Sequence, residues 1–328
     1  MTKKTSSSSP ASAAQPTAVG VIGLGIMGSA MSANLVKAGF AVFGYDPDPK
    51  ACSRLKKAGG QPCVGVVDVA RLSRFIVLSL PSEAALDEVC AALVAARVKG
   101  LVVAETSTLP EPAKMRALAL LSRHGITLLD CPLSGTGAQA LTRDLAVYAS
   151  GDPKGIKAFA PVFEGFARAR YDVGDFGNGM RMKLVANLLV AIHNLSTAEA
   201  ILMGVRSGLD AAMVVKVVAD GAGGSRMFQV RGPVMVDRSW GEATMKVSTW
   251  QKDMRMINDA LQAPDTPAPL FATCLPVYNA AMALGHGMDD TAAVYSVLEH
   301  MMGVAPAAVR TGRTAKTAKT TRTQSKKR

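Results

Sequence analysis

Near the start of the chain, Ala18-Val-Gly-Val-Ile22 leads into Gly23-Leu24-Gly25-Ile26-Met27-Gly28 and then into a helical stretch, Ser29 to Ala38, ended by Gly39. A strand, a glycine turn and a helix in this order leave few folds open, because each glycine answers a different steric demand. Gly23 permits the tight turn, and Gly25 lets backbone approach a pyrophosphate. Gly28 lets the helix pack on the sheet while its N-terminus faces the phosphates. A second strand, Ala41-Val-Phe-Gly-Tyr45, ends in Asp46. That acid stands about 20 residues beyond the turn, where a carboxylate takes the ribose hydroxyls of a dinucleotide. A 2′-phosphate would meet the same carboxylate, and Asp48 follows instead of an arginine. The pattern therefore points to NAD over NADP, with Gly23, Leu24, Gly25, Ile26, Met27, Gly28 and Asp46 as cofactor-binding residues.

From Ala18 to about Val173, short β-branched and aliphatic runs alternate with longer alanine-rich helical patterns, which is the signature of βαβ units around a parallel sheet. Strands are expected at 18–22, 41–45, 75–80, 101–104, 126–130, 145–149 and 169–173, most of them apolar enough to be covered on both faces. After Gly174 no strand pattern remains, and 180–207, 211–219, 246–261 and 270–284 read as helices. The expected architecture is α/β: an N-terminal Rossmann-type doubly wound domain over 18–178, then an all-α C-terminal domain over 179–305. A chain of 328 residues suits two such domains sharing a cleft.

The net charge of +12 belongs to the ends of the chain. Eight basic residues lie after residue 309, Lys3 and Lys4 supply two more, and neither end carries an acid. Residues 1–17 read as a disordered leader, with serine, alanine and proline where a signal peptide needs an apolar run. Residues 306–328 read as a basic disordered tail with almost nothing to bury. That tail has no aromatic residues for stacking, so it implies at most a nonspecific nucleic-acid contact. The five cysteines are scattered, without CxxC or Cys/His spacing, and fit a reducing cytoplasm. The longest uncharged apolar stretch, 184–198, contains Asn187, His193 and Asn194 and falls short of the roughly 20 residues of a membrane span. No transmembrane segment is expected. The histidines (His124, His193, His286 and His300) form no metal-ligand or nucleophile spacing, so no metal is expected either.

Three further segments make the region from about residue 18 to 303 resemble the β-hydroxyacid dehydrogenase family, which includes 3-hydroxyisobutyrate, tartronate semialdehyde and threonate dehydrogenases. Asp130-Cys-Pro-Leu-Ser134-Gly135-Thr136-Gly-Ala138 is similar to the family's substrate loop, DxPVSGG, with Thr136 in place of the second glycine. Gly177-Asn-Gly-Met-Arg-Met-Lys183-Leu-Val-Ala-Asn187 is similar to its catalytic helix, and Lys252-Asp253 matches its late lysine–aspartate pair. The resemblance implies hydride transfer between NAD and a short hydroxy acid, with Lys183 as general acid/base. It implies substrate contacts at Ser134, Gly135, Thr136 and Asn187. Leu80, Pro81, Thr108 and Lys252 would be further cofactor contacts, Lys252 by reaching across the cleft. Gly221 to Phe228 and Gly285 to Asp290 are closest to the threonate-type members. The family's habit and the apolar helices of the second domain imply a homodimer or homotetramer.

The residues carry their own reading beside the resemblance. Glycines around Ser134 would free N–H groups for a carboxylate, although the segment also reads as an ordinary turn. Lys183, Asn187 and Asn194 fall within about 40° of one another on a helical wheel, a narrow polar stripe on an apolar helix. The rival is a lysine snorkelling to solvent, and Lys252 has the same rival. Met227, Phe228 and Trp250 read either as core or as pocket. Two other functions stay open: an imine or ketone reductase on the same fold, and a nucleotide-sensing body with a polyanion-binding tail.

Overall fold

In the computed structural model, which describes residues 17–303, the glycine turn lies between β1 (Ala18–Ile22) and α1 (Ile26–Lys37). Strand and helix then alternate through β2 (Ala41–Tyr45), α2 (Pro49–Lys57), β3 (Gln61–Pro62), α3 (Val66–Leu72) and β4 (Phe75–Leu78). They continue as α4 (Glu83–Ala95), β5 (Val102–Glu105), α5 (Glu111–Ser122) and β6 (Thr127–Asp130). The six strands form one parallel sheet in the order β3-β2-β1-β4-β5-β6. The winding reverses between β1 and β4, the doubly wound arrangement in which ligands bind beyond the strands' carboxyl ends. Two apolar clusters cover the sheet. One includes Val19, Val21, Met31, Phe159 and Phe163, the other Ile76, Leu78, Val89, Leu93 and Val103. Strands buried on both faces are written as near-continuous apolar runs, which is why they are legible in the sequence. Two of the helices between them, α2 and α4, start on side-chain caps: Asp48 and Ser82 accept from the N–H groups of Lys50 and Ala85.

The chain continues through β7 (Leu133–Ser134), α6 (Gly137–Leu141), β8 (Ala146–Ala149), α7 (Pro153–Phe166) and β9 (Ala169–Asp172). The strands expected at 145–149 and 169–173 do not extend the parallel sheet. With β7 they build a separate three-stranded sheet, β7-β8-β9, antiparallel and then parallel. β9 is largely exposed, so burial on both faces does not hold there. β3 and β7 have two residues each, too few for any alternation to register.

Beyond β9 the described residues contain helices and no further strand: α8 (Asn178–Arg206), α9 (Ala211–Ala219), α10 (Arg226–Val236), α11 (Val247–Gln262), α12 (Pro269–Ala283) and α13 (Val294–Met301). The expected leader, apart from Thr17, and the basic tail lie outside the described residues. The chain divides into two compact units: one runs to Leu188 and takes in Arg255–Thr266, and the other comprises Leu189–Met254 and the chain from Pro267. The pattern changes near residue 178, yet the first turns of α8 stay with the first unit because Met180 bonds to Asp130 at the end of β6 and Lys183 to Leu133 at the start of β7. At 29 residues α8 is long and apolar enough to cross a membrane by length and composition, with 39% of its most apolar window buried. It outruns the uncharged stretch at 184–198 because Lys183 and Arg206 continue the helix. The amide nitrogen of Asn194, buried on this helix, has protein partners: it donates to the Tyr278 hydroxyl at 2.9 Å and to the Thr291 carbonyl at 2.8 Å. In the second unit Arg231 also meets Asp290 at 2.5 Å, nearly excluded from solvent.

The glycine turn is the tightest point of the first unit. A Cβ on Gly28 would stand 1.9 Å from the Gly23 carbonyl oxygen, a backbone atom that cannot swing away. Gly28→Ala should therefore cost about 1–3 kcal/mol, the usual penalty of overpacking, read as a lowered midpoint in denaturant unfolding. An unchanged midpoint would mean that the helix–turn contact is looser than described.

Candidate active site

Asp46, at the end of β2, turns back onto the glycine turn. Its Oδ2 accepts the Leu24 N–H at 2.7 Å and its Oδ1 accepts the Asp48 N–H at 2.8 Å, so the carboxylate is held in place from both sides. Gly23 has φ +89°, and a Cβ there would lie 2.1 Å from the Ser79 carbonyl oxygen. Gly25 differs: a Cβ there would meet nothing within 4 Å. It is the N-cap of α1 and offers no side-chain cap, so the first amides of the helix are directed to whatever occupies the space beyond. Gly25 and Ile26 are exposed, while Met27 is half-buried. Open space, uncapped amides and a fixed carboxylate together fit a dinucleotide.

Leu80 and Thr108 lie at the ends of the two next strands and are joined through a residue that the sequence did not single out. The Leu80 N–H donates to Ser107 Oγ at 2.7 Å, and the Ser107 N–H donates to Glu105 Oε1 at 2.8 Å. Leu80 and Thr108 are half-buried and Pro81 is exposed.

Lys183 Nζ donates to the Leu133 carbonyl at 2.6 Å. Ser134 and Gly135 follow directly, so the buried Lys183 nitrogen is fixed beside the expected substrate loop. Asn187, one turn further along α8, is also buried. Gly135 has φ +132°, a backbone setting that favours glycine. Thr136 shapes the loop itself, since as N-cap of α6 it forms a capping box with Gln139, and Gln139 in turn donates to Asp144 at 3.1 Å. Asn194, the third member of the helical stripe, belongs to the second unit, as does Lys252 on α11. Lys252 Nζ lies 4.0 Å from the Asp253 carboxylate. Phe228 and Trp250 are buried and Met227 is half-buried. Among the described residues no group of three or more His, Cys, Asp or Glu side chains is arranged to hold a metal.

The residues that sequence reasoning passed over are Glu105, Lys114 and Asp130. All three are fully buried. Lys114 Nζ stands 2.6 Å from Asp130 Oδ1 and 2.7 Å from Glu105 Oε2. The second contact is an ion pair and not an aligned hydrogen bond. Burial would lower the pKa of Lys114, but the two carboxylates outweigh it and hold the ammonium above the ordinary lysine value. Beside them, burial pushes the Cys131 thiol well up, which removes it as a nucleophile. One signal was available: Lys114 shares its helical face with Ala117 and Leu121, both buried, and a lysine on a core-facing stripe needs a buried anion.

The chain is similar to known proteins along most of its length. Residues 18–175 match the NAD-binding domain of 6-phosphogluconate dehydrogenase, and residues 177–298 match the NAD-binding domain of NADP-dependent 3-hydroxyisobutyrate dehydrogenase. An L-threonate dehydrogenase of Pectobacterium atrosepticum is 31% identical over 85% of this chain and 93% of its own. An NAD-dependent L-serine dehydrogenase of Pseudomonas aeruginosa is 27% identical over 87% and 99%. The crystal structure of a 3-hydroxyisobutyrate dehydrogenase from Salmonella typhimurium superposes with a TM-score of 0.78 at 27% identity, covering 86% of this chain and 99% of that one.

The contrast among the three glycines yields a test. Gly25→Ala should keep the unfolding free energy within about 1 kcal/mol of wild type, since the added methyl meets no protein atom. It should weaken binding of reduced nicotinamide cofactor by about tenfold or more, equivalent to some 1.4 kcal/mol. A fluorescence titration giving the wild-type dissociation constant would show that the open space beyond Gly25 is not the phosphate site.

Proposed function

The chain belongs to the β-hydroxyacid dehydrogenase family, and from that premise we propose that it oxidises a short hydroxy acid with NAD, using Lys183 as the proton-transfer group. The observation that carries this reading is the buried Lys183 side-chain nitrogen at the Leu133 carbonyl, one residue before Ser134. NAD held by this chain would supply the acceptor for the hydride of the carbon that bears the hydroxyl. The chain's own residues must then clamp the substrate carboxylate, exclude water and take up the hydroxyl proton. Ser134 and the Gly135 backbone are the carboxylate clamp. Lys183 Nζ takes the hydroxyl proton in oxidation and returns it in reduction. Asn187 holds the hydroxyl in line, and the Thr136 methyl narrows the loop where the family pattern has glycine. The substrate is of the 3-hydroxyisobutyrate or threonate type.

Gly23 to Gly28 hold the pyrophosphate, and Leu80, Pro81, Thr108 and Lys252 complete the cofactor site. Asp46 selects NAD, because its carboxylate is already fixed by the N–H groups of Leu24 and Asp48 and cannot turn from a 2′-phosphate without losing both. A cytoplasmic homodimer or homotetramer suits the exposed apolar side chains of the second unit, Met203, Met213 and Val217, which are 74%, 55% and 63% accessible. NADP giving the higher kcat/KM in steady-state assays would contradict the assignment of Asp46.

Lys183→Ala should lower kcat by roughly 10²–10⁴, the usual contribution of a positioned acid or base, with affinity for reduced cofactor little changed. Lys183→Arg should not recover the rate, since a guanidinium remains protonated and cannot accept the proton. Near wild-type kcat in Lys183→Ala on the best substrate would remove the lysine from the mechanism.

A further inference from the structure

We propose that the buried Glu105–Lys114–Asp130 triad, with Ser150, is a positioning device for Lys183: it grips the first turn of α8 and sets where the amine stands. This rests on the reading of Lys183 as the proton-transfer group. Glu105 and Asp130 are register partners at the ends of β5 and β6, so two carboxylates face each other in a site without solvent. Lys114 lies within ion-pair distance of both and offsets the repulsion between them. The second oxygen of Asp130 accepts the Met180 N–H at 2.8 Å. A carboxylate at a helix N-terminus is favoured by the exposed amides and by the helix dipole.

The neighbouring amide is held as well. The Gly179 N–H donates to Ser150 Oγ at 3.0 Å, and Ser150 Oγ donates to the Asp130 carbonyl at 3.0 Å. Gly179 permits the close approach, since a Cβ there would lie 2.6 Å from the carbonyl oxygens of both Asp130 and Tyr148. Outside the core, Arg181 forms a paired contact to Glu111, with its closest atoms 2.6 Å apart. Glu111 and Lys114 are both on α5, so one helix braces the start of the other.

What makes this grip specific to Lys183 is a match of spacing. Asp130 and Leu133 are three residues apart on one segment; Met180 and Lys183 are three apart on the helix. Asp130 accepts from Met180, and Leu133 accepts from Lys183. The two contacts fix both the rotation and the height of the first turn of α8, so any slip at Asp130 carries Lys183 off the Leu133 carbonyl. Stability alone does not call for buried charges at this place, because apolar residues of similar volume commonly serve as well. An ionised cap supplies a short, directional contact that an apolar residue cannot.

The test is a kinetic cycle on the full-length protein, assayed with NAD and the best substrate among short hydroxy acids. Asp130→Asn and Ser150→Ala are each made alone and in the Lys183→Ala background. Asp130→Asn keeps the shape but loses the charge, and Ser150→Ala removes one small neutral cap, so the second serves if the first does not fold. Asp130→Asn should lower kcat about 10- to 100-fold, as expected for a slight misplacement of a catalytic group, and Ser150→Ala by a smaller factor. Affinity for reduced cofactor should stay within about twofold in both. In the Lys183→Ala background neither change should lower kcat further by more than about twofold, because residues acting as a unit are not additive. Equal proportional losses in both backgrounds, or kcat within about twofold of wild type in the folded single variants, would overturn the positioning role. Wild-type kcat in Lys183→Ala itself would overturn the reading of Lys183 and leave a different signature from either.

Discussion

Parallel strands end at the same edge of a sheet, and in this protein the neighbouring strand ends from β2 to β6 are tied to one another. Asp46 at the end of β2 bonds to Leu24 after β1. Gly23, also after β1, comes so close to Ser79 after β4 that no side chain fits between them. Leu80 bonds to Ser107 after β5, Glu105 is joined through Lys114 to Asp130 of β6, and Asp130 accepts from α8. The glycine turn and the first turns of α8, far apart in sequence, thus share one frame, which is what the proposed reaction, dependent on fixed geometry, requires. The glycines are the extreme case, since backbone replaces side chain where the contact is tightest.

The same frame explains what the sequence made legible. β1 and β2 were readable to the residue because burial on both faces writes a strand as an apolar run. Gly23, Gly28 and Asp46 were readable because their conformational and charge requirements admit few other residues. β7 was not, because a two-residue strand has no periodicity; β9 was expected as a strand, but its place in a separate sheet is set by pairing with β8 and not by its own exposed pattern. Thr136 stood out as a departure from the family loop, yet its capping partner Gln139 became visible only when α6 did.

Lys114 was the larger omission. Its two anions come from the ends of different strands, and no local pattern announces a contact that the sheet brings together. Asp130 was legible as the first residue of a motif but not as a helix cap, because the amide it caps is 50 residues away. The extent of the first unit was hidden for a related reason: composition changes near residue 178, but the bonds of Met180 and Lys183 hold the start of α8 to the first unit through Leu188.

The central claim is the chemistry that this frame serves, hydride transfer from a short hydroxy acid to NAD. It is tested most directly by mixing the purified protein with NAD and a panel of short hydroxy acids, among them threonate, serine and 3-hydroxyisobutyrate, and following the absorbance of the reduced cofactor. A parallel series with reduced cofactor and cyclic imines completes the measurement. The account predicts reduction of NAD by at least one of the hydroxy acids and no turnover of the imines; turnover of an imine with no hydroxy acid oxidised would contradict it.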